Sequence, residues 1–252
     1  MATNTLLKAS GNTLFFFAVL LTSCMRSTSL TVLQPAQMKL PEHISKVPII
    51  YRSKPSNGWL NALEGLLTGE AIGQDRRSRQ EAVAGLTNAL TRTPRFEVVS
   101  TGIEMEGSKA GVTLPPALPW SQIEQICADF GTNAVAAIES FDTDNSISTH
   151  RNDERKKDKD GKYYTVTTYD ARQRTGVRIG WRLYDPKTKT IIDEYVTDDY
   201  LERTARGNTD RESRNRLPSQ VTVSRDVAFN VGIEYGARIA PIYVNLNRQY
   251  YA

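Results

Sequence analysis

The sequence predicts an α/β (α+β) fold: a single domain in which a mixed β-sheet carries packed helices and ends in a C-terminal antiparallel meander. Three observations lead there. In the first half of the chain, short β-branched runs are interleaved with runs of helical period. In the second half, strand-like runs follow one another with turn chemistry between them, as in "DPKTK" at 185–189. The balance of 39% hydrophobic and 24% charged residues suits a chain with an ordinary buried core. Strand–helix alternation favours parallel neighbours and a meander gives antiparallel ones, so the two together imply a mixed sheet under helices.

The chain opens with a segment that reads as an address. Met1 to Lys8 carries one positive charge and no acid, and Leu14 to Leu21 is unbroken apolar sequence. A membrane-spanning helix needs about 20 apolar residues. The run suits the apolar region of a secretory signal instead. It ends in Leu21-Thr22-Ser23-Cys24, which resembles the lipobox of bacterial lipoproteins. That resemblance implies a thioether lipid on Cys24, removal of residues 1–23 as a signal peptide, and acylation of the new amine. One acyl chain holds a protein only marginally, and two or three hold it firmly. Residues 24–29, Cys24 with "MRSTS", then read as a lipidated tether, and residues 30–252 as the domain. No acidic residue follows Cys24 closely, so the expected location is the outer membrane, lipid-anchored and facing the periplasm. With Cys24 lipidated, Cys127 has no cysteine to pair with, and the fold must hold by its core.

The elements follow in order. "LTVLQPAQ" (30–37) and "KVPIIYR" (46–52) read as strands, and Pro35, Pro41 and Pro48 place one of them at an edge. "GWLNALEGLLTG" (58–69) and "QDRRSRQEAVAGLTNALTRT" (74–93) have helical apolar faces, the second using Val83, Leu86 and Leu90. Pro94 stops it, and "RFEVVS" (95–100) is a strand. Residues 101–119 have a connector's glycines and prolines. Ser121-x-x-Glu124 is a capping-box pattern for a helix that buries Ile123, Ile126, Cys127 and Phe130 and stops at Gly131. Strands are expected at 133–141, 163–173, 175–185 and 190–199. In the third of these Val177, Ile179, Trp181 and Leu183 alternate with polar neighbours. A loop at 200–217 leads to a helix from about Ser219 to Ala240, where Gly232 and Gly236 allow close packing against another element. "IYVNLNRQYYA" is the last strand.

Four blocks, "LQPAQMKLPEHISKVPIIYRS", "GTNAVAAIESFDT", "WRLYDPKTKTIIDEY" and "YGARIAPIYVNLNRQYY", resemble an uncharacterised lipoprotein family of the Bacteroidetes, which implies no known activity. More distantly, Asn133 to Ser140 and Arg182 to Lys189 are similar in pattern to the amino-terminal domain of TolB and to CsgG-type envelope lipoproteins. That likeness implies fold alone.

No residue set assembles a catalytic site. The two histidines, His43 and His150, lie over a hundred residues apart and give no zinc spacing. Each reads as a loop residue, and Cys127 as a core thiol. "DTDNS" (142–146) and "DKDG" (158–161) lack the closing acids of calcium loops and read as surface turns. "RNDERKKDKDGK" (151–162) reads as a solvated hairpin tip. The stretch 203–216 is more one-sided: Arg203, Arg206, Arg211, Arg214 and Arg216 outnumber Asp210 and Glu212, and guanidinium groups suit anions or a partner. Tyr243, Tyr250 and Tyr251 pack in the last strand or line a glycan groove. The expected function is a non-catalytic binding or assembly module of the envelope, held to the membrane by its lipid and contacting an envelope protein or anionic polymer. No nucleic acid, metal or cofactor beyond the covalent lipid is implied. The alternative is an envelope hydrolase acting through Asp142, Asp144, Asp185 or Asp193.

Overall fold

A computed structural model describes residues 25–54, 69–93, 95–106 and 114–251. The signal segment, Cys24 and most of the helix expected at 58–69 lie outside them. The chain divides into two compact units. Residues 35–242 form a body, and among the described residues 25–34 and 243–251 form a second unit.

The second unit is a two-stranded sheet of β1 (Met25–Gln34) and β7 (Ile242–Tyr251). β1 opens at Met25, so residues 25–29 of the expected tether are strand. It stops before Pro35, whose ring removes a ladder donor.

The body holds a five-stranded sheet in the order β3-β2-β4-β5-β6, built from β2 (Lys46–Lys54), β3 (Glu97–Glu106), β4 (Val135–Lys157), β5 (Tyr163–Asp185) and β6 (Thr190–Gly207). β2 is parallel to both β3 and β4, whereas β4, β5 and β6 run antiparallel. The mixed sheet and the closing meander are as the sequence predicts. Of the two proline-flanked strands, β1 has an open edge in its two-stranded sheet, as expected of one of them, and β2 is interior. Pro48 is tolerated there because β4 pairs with β2 only over Ile49–Tyr51.

Two helices cover one face. α1 (Gly69–Thr91) and α4 (Gln220–Ile239) run side by side in the same direction. The Ser78 and Ser224 hydroxyls meet at 2.9 Å, and small residues hold the rest of the contact. A Cβ on Gly232 would lie 2.0 Å from the Ala82 carbonyl oxygen, and one on Gly236 would lie 2.3 Å from the Ala89 Cβ. The close packing expected of these two glycines is what they provide. Beneath the pair, Ile49, Ala136, Ile138, Val177, Ile179, Trp181 and Leu183 face Leu86, Leu90, Val227, Val231 and Tyr235 in the main core. Trp181 stacks on Tyr235 with ring centroids 4.5 Å apart. Ser219 caps α4 by accepting the Thr222 N–H.

On the opposite face lies α2 (Trp120–Phe130), preceded by a strap at 114–119. Ile123, Ile126 and Cys127 pack with Ile50, Val135, Ala137, Tyr184 and Leu118 in a second core. The expected capping box does not form. The N-cap lies two residues earlier, at Pro119, with no side-chain cap bond. Its end is as expected: Gly131 takes the left-handed conformation at φ 62° and its N–H reaches the Cys127 carbonyl.

Several strands outrun their sequence-based bounds. β3 continues through residues expected to be connector. β4 runs on through 142–157 instead of turning, so "DTDNS" is strand. β5 is one strand where two were expected, and β6 fills the first part of the loop expected at 200–217. α3 (Asp210–Asn215) fills part of the rest, capped by Thr209, which accepts the Glu212 N–H.

Candidate functional site

Three strands bring charge into the body. In β2, Arg52 ends the apolar run of "VPIIY". In β4, Glu139 sits inside "AVAAIES". In β5, Arg182 alternates with Trp181 and Leu183. All three point away from the helix pair toward the strap. Glu139 is fully buried. The Arg52 guanidinium donates to its Oε2, Arg182 Nη1 lies 3.7 Å from the same oxygen, and the Tyr184 hydroxyl donates to Oε1 at 2.5 Å. Burial pushes the Glu139 carboxyl up, and this outweighs the Tyr184 hydrogen bond and the two guanidinium charges, which act to lower it. The strap seals the set. Arg182 donates to the Pro115 carbonyl at 2.5 Å, Arg52 to the Pro116 carbonyl at 3.1 Å, and the Leu118 N–H to the Tyr184 hydroxyl at 3.2 Å. Gly180 makes the strap fit, because a Cβ there would lie 2.1 Å from Leu114 Cδ2. Arg182 reaches outward to Glu194 at 2.7 Å. This network binds the strap to the sheet and encloses the Glu139 side chain. Sequence reasoning missed it, although a lone charge inside each of three apolar strand runs was its signal.

His43 and Asp185, two residues weighed for catalysis, meet at a second corner. The His43 Nε2 lies 3.1 Å from both Asp185 carboxylate oxygens. The Thr188 hydroxyl donates to Asp185 at 2.7 Å and the Lys187 N–H at 3.0 Å. Burial pushes the Asp185 carboxyl up, but these donors and the His43 ring together hold it below the usual carboxylate range. Asn133 ties the His43 loop down, donating to the His43 carbonyl at 2.6 Å and accepting the Ser45 and Lys46 N–H groups. Cys127 lines the same shallow hollow as His43. Burial pushes its thiol up, and the charge of Asp185 adds to this, so the sulfur stays protonated and is a poor nucleophile. The corner is a clamp on the β5–β6 turn. Asp193 is also engaged: both its oxygens accept from Arg238 at 2.9 Å.

The remaining candidates lie on the arm that β4, β5 and β6 form as they leave the body. The β4–β5 ladder runs unbroken from Ser140↔Gly180 to Lys157↔Tyr163. At about 3.3 Å per residue, a strand of 23 residues is roughly 75 Å long. On the face away from the helices, cross-strand rows read Asp142–Arg178–Asp198, Asp144–Gly176–Tyr200 and Ser146–Arg174–Glu202. Arg174 stacks over the Tyr200 ring at 3.8 Å. These rows line a groove of about 450 Å³. Asp142 and Asp144 therefore share a groove, whereas Asp185 and Asp193 lie apart from it, each bound as described. Farther out, His150 faces Asp170, which Arg206 grips with two hydrogen bonds of 2.6 and 2.9 Å. That guanidinium holds the Asp170 carboxyl below the usual range.

The five arginines do not converge. Arg203 lines a hollow on the helix side beside Arg225 and Glu81. Arg206 lies on the opposite face with Asp170. In α3, Arg214 pairs with Asp210 at 3.1 Å, and beyond the helix Arg216 pairs with Glu212 at 2.6 Å. Arg203 and Arg211 form no ion pair among the described residues. The described residues contain no cluster of His, Cys, Asp and Glu suited to a metal ion.

The architecture is thus a sheet clasped between helices, with one long antiparallel arm. The chain belongs to the family of DUF8603, a domain of unknown function, whose model matches residues 44–251. No curated protein matches it. Among solved structures it is similar to PelC of Paraburkholderia phytofirmans, described as a dodecamer, at 12% identity, covering 85% of this chain and 99% of that one with a TM-score of 0.33. It is also similar to TolB of Acinetobacter baumannii at 11% identity and a TM-score of 0.29, covering 84% of this chain but 31% of TolB.

Proposed function

We propose that this chain is a lipid-anchored protein of the outer membrane, facing the periplasm, that acts by docking a partner protein rather than by catalysis. The observation that carries the docking reading is the arm. Beyond Phe141 in β4 its residues leave the core, yet the ladder continues for sixteen further paired positions to Lys157. A strand pair of that length, with charges on both faces, supports contact with something outside the body. Its rows mix signs, as in Asp142–Arg178–Asp198, which suits a protein of complementary mixed charge better than a uniformly anionic polymer. Arg206, Arg214 and Arg216, already paired with neighbouring carboxylates, favour the same choice. The anchor reading is supported by Leu21-Thr22-Ser23-Cys24 after its apolar run.

Crosslinking in native envelopes tests the proposal. The expected result is a defined protein adduct from residues placed along 142–156 or 164–178, and none from residues on the outer face of α2. Equal labelling from both surfaces, or none from the arm, would reject docking. Cys24→Ser is expected to leave an unprocessed precursor without lipid. Unchanged processing and acylation would reject the anchor.

A further inference from the structure

The β1–β7 ribbon has a chemistry that the docking arm does not use. The Thr31 hydroxyl and the Asn245 side chain meet at 2.8 Å, which places them on one face. Strand alternation then sets Leu30 and Val32 on the other face of β1, and Val244, Leu246 and Tyr250 on the other face of β7. The first face carries Ser27, Ser29, Thr31, Asn245, Asn247 and Gln249, with Leu33 and Tyr243 as its apolar members. The second is the more apolar of the two and carries Arg26 and Arg248. Leu30 is 50% exposed, Leu246 40% and Tyr250 47%. Neither strand contains an acidic residue. A two-stranded sheet is marginal in water without something to cover its apolar face.

We infer that the apolar face of this ribbon lies on the surface of an anionic phospholipid bilayer, as a second contact beside the lipid anchor. The inference rests on the anchored reading above for its geometry. Met25, the first residue of β1, directly follows Cys24, and Leu30 is six residues from it, at most about 20 Å of extended chain. A lipid on Cys24 therefore keeps the ribbon at the headgroup layer. Aliphatic side chains, a tyrosine at the rim and arginines without acids are the composition that this layer accepts. The arginines meet anionic headgroups, and the leucines and valines enter the acyl boundary.

The chain from residue 24 onward, carrying Cys24→Ser and hence no lipid, isolates the ribbon's own affinity. It is expected to cosediment with vesicles of phosphatidylglycerol and phosphatidylethanolamine, more weakly as salt rises, and poorly with phosphatidylcholine alone. Arg26→Gln and Arg248→Gln should each weaken binding about fivefold. Leu30→Ser and Leu246→Ser should each weaken it about tenfold, with the urea midpoint of the body unchanged as the control for folding. No affinity for the anionic vesicles, or equal affinity in all four variants, overturns the inference. So does self-association of the parent that the leucine variants abolish, since a second copy would then cover the face. Failure is separable from that of the anchor. A chain that is lipidated at Cys24 in cells but indifferent to vesicles as the lipid-free form loses only this inference. Vesicle binding by a chain that mass spectrometry finds unlipidated in cells overturns only the anchor.

Discussion

Single residues in the body hold charge in closed sets, and pH reads two of them with opposite sign. The Asp185 carboxyl sits below the usual range because its donors outweigh burial. Its ionised form stabilises the folded chain above the unfolded value near pH ~4. That stability is lost as pH falls through the lower folded-state value. Glu139 is the reverse. Burial raises its carboxyl, so its ionised form costs stability above the folded value, and acidification toward the unfolded value relieves the cost. Asp185→Asn removes the first contribution and leaves the second. The variant should lose about 2 kcal/mol at neutral pH, as a charge-assisted hydrogen-bond set is weakened. Its stability should then fall less steeply than the parent's below pH ~4. Urea midpoints measured across acid pH check both, and curves that stay parallel throughout would mean that Asp185 does not titrate as the clamp requires.

At the scale of elements, the tightest joint is between α1 and α4, where glycine lets backbones touch. Gly232→Val places side-chain atoms against the Ala82 carbonyl and the Leu86 N–H. Neither can yield without shifting a helix, so the expected loss is about 3 kcal/mol, read as a lowered urea midpoint. An unchanged midpoint would mean the helices do not pack this closely. This joint was legible in the sequence because two glycines four apart sit on one stripe of a strongly helical segment. The Gly131 stop was legible from an equally local signal, a glycine just past the last apolar position of α2. The strand lengths were not. Along 142–157 the side chains are exposed or half-buried and polar on both faces, so no apolar alternation marks them as strand. Only the ladder to β5 makes them so. The Glu139 set was missed for a different reason: its members come from three strands, and only the parallel and antiparallel registers bring them together. The strap depends likewise on Gly180, whose missing side chain admits Leu114, a long-range fit that no local pattern shows.

Within the body, a packed core gives way to an arm of paired strands. Buried residues of β4 end at Phe141, and the first deeply buried ones on β5 are Ala171 and Gln173. Between them the ladder is held by its own hydrogen bonds, by α3, which packs against β4 and β5, and by the turn at 158–162. There Asp158 accepts the Asp160 N–H at 3.0 Å and the Lys162 N–H at 2.7 Å, and Gly161 takes φ 84°. The hairpin bears Glu154 and Lys156 on one face and Arg151, Asp153 and Arg155 on the other. A charge facing hydrocarbon is costly, so this arm is built for water or a polar partner rather than for crossing a bilayer. Its outer part should be separable from folding. Replacing residues 154–166 by Asn-Gly joins Asp153 to Thr167, which already face each other, through a turn that suits a two-residue hairpin. The body should keep its stability to within about 0.5 kcal/mol, because no buried residue is removed. Crosslinked capture of a partner from native envelopes should fall to background. Capture that persists at the parent's level in a stably folded, shortened chain would move the docking surface off the arm's outer half and onto the groove around Asp144, Arg174 and Tyr200.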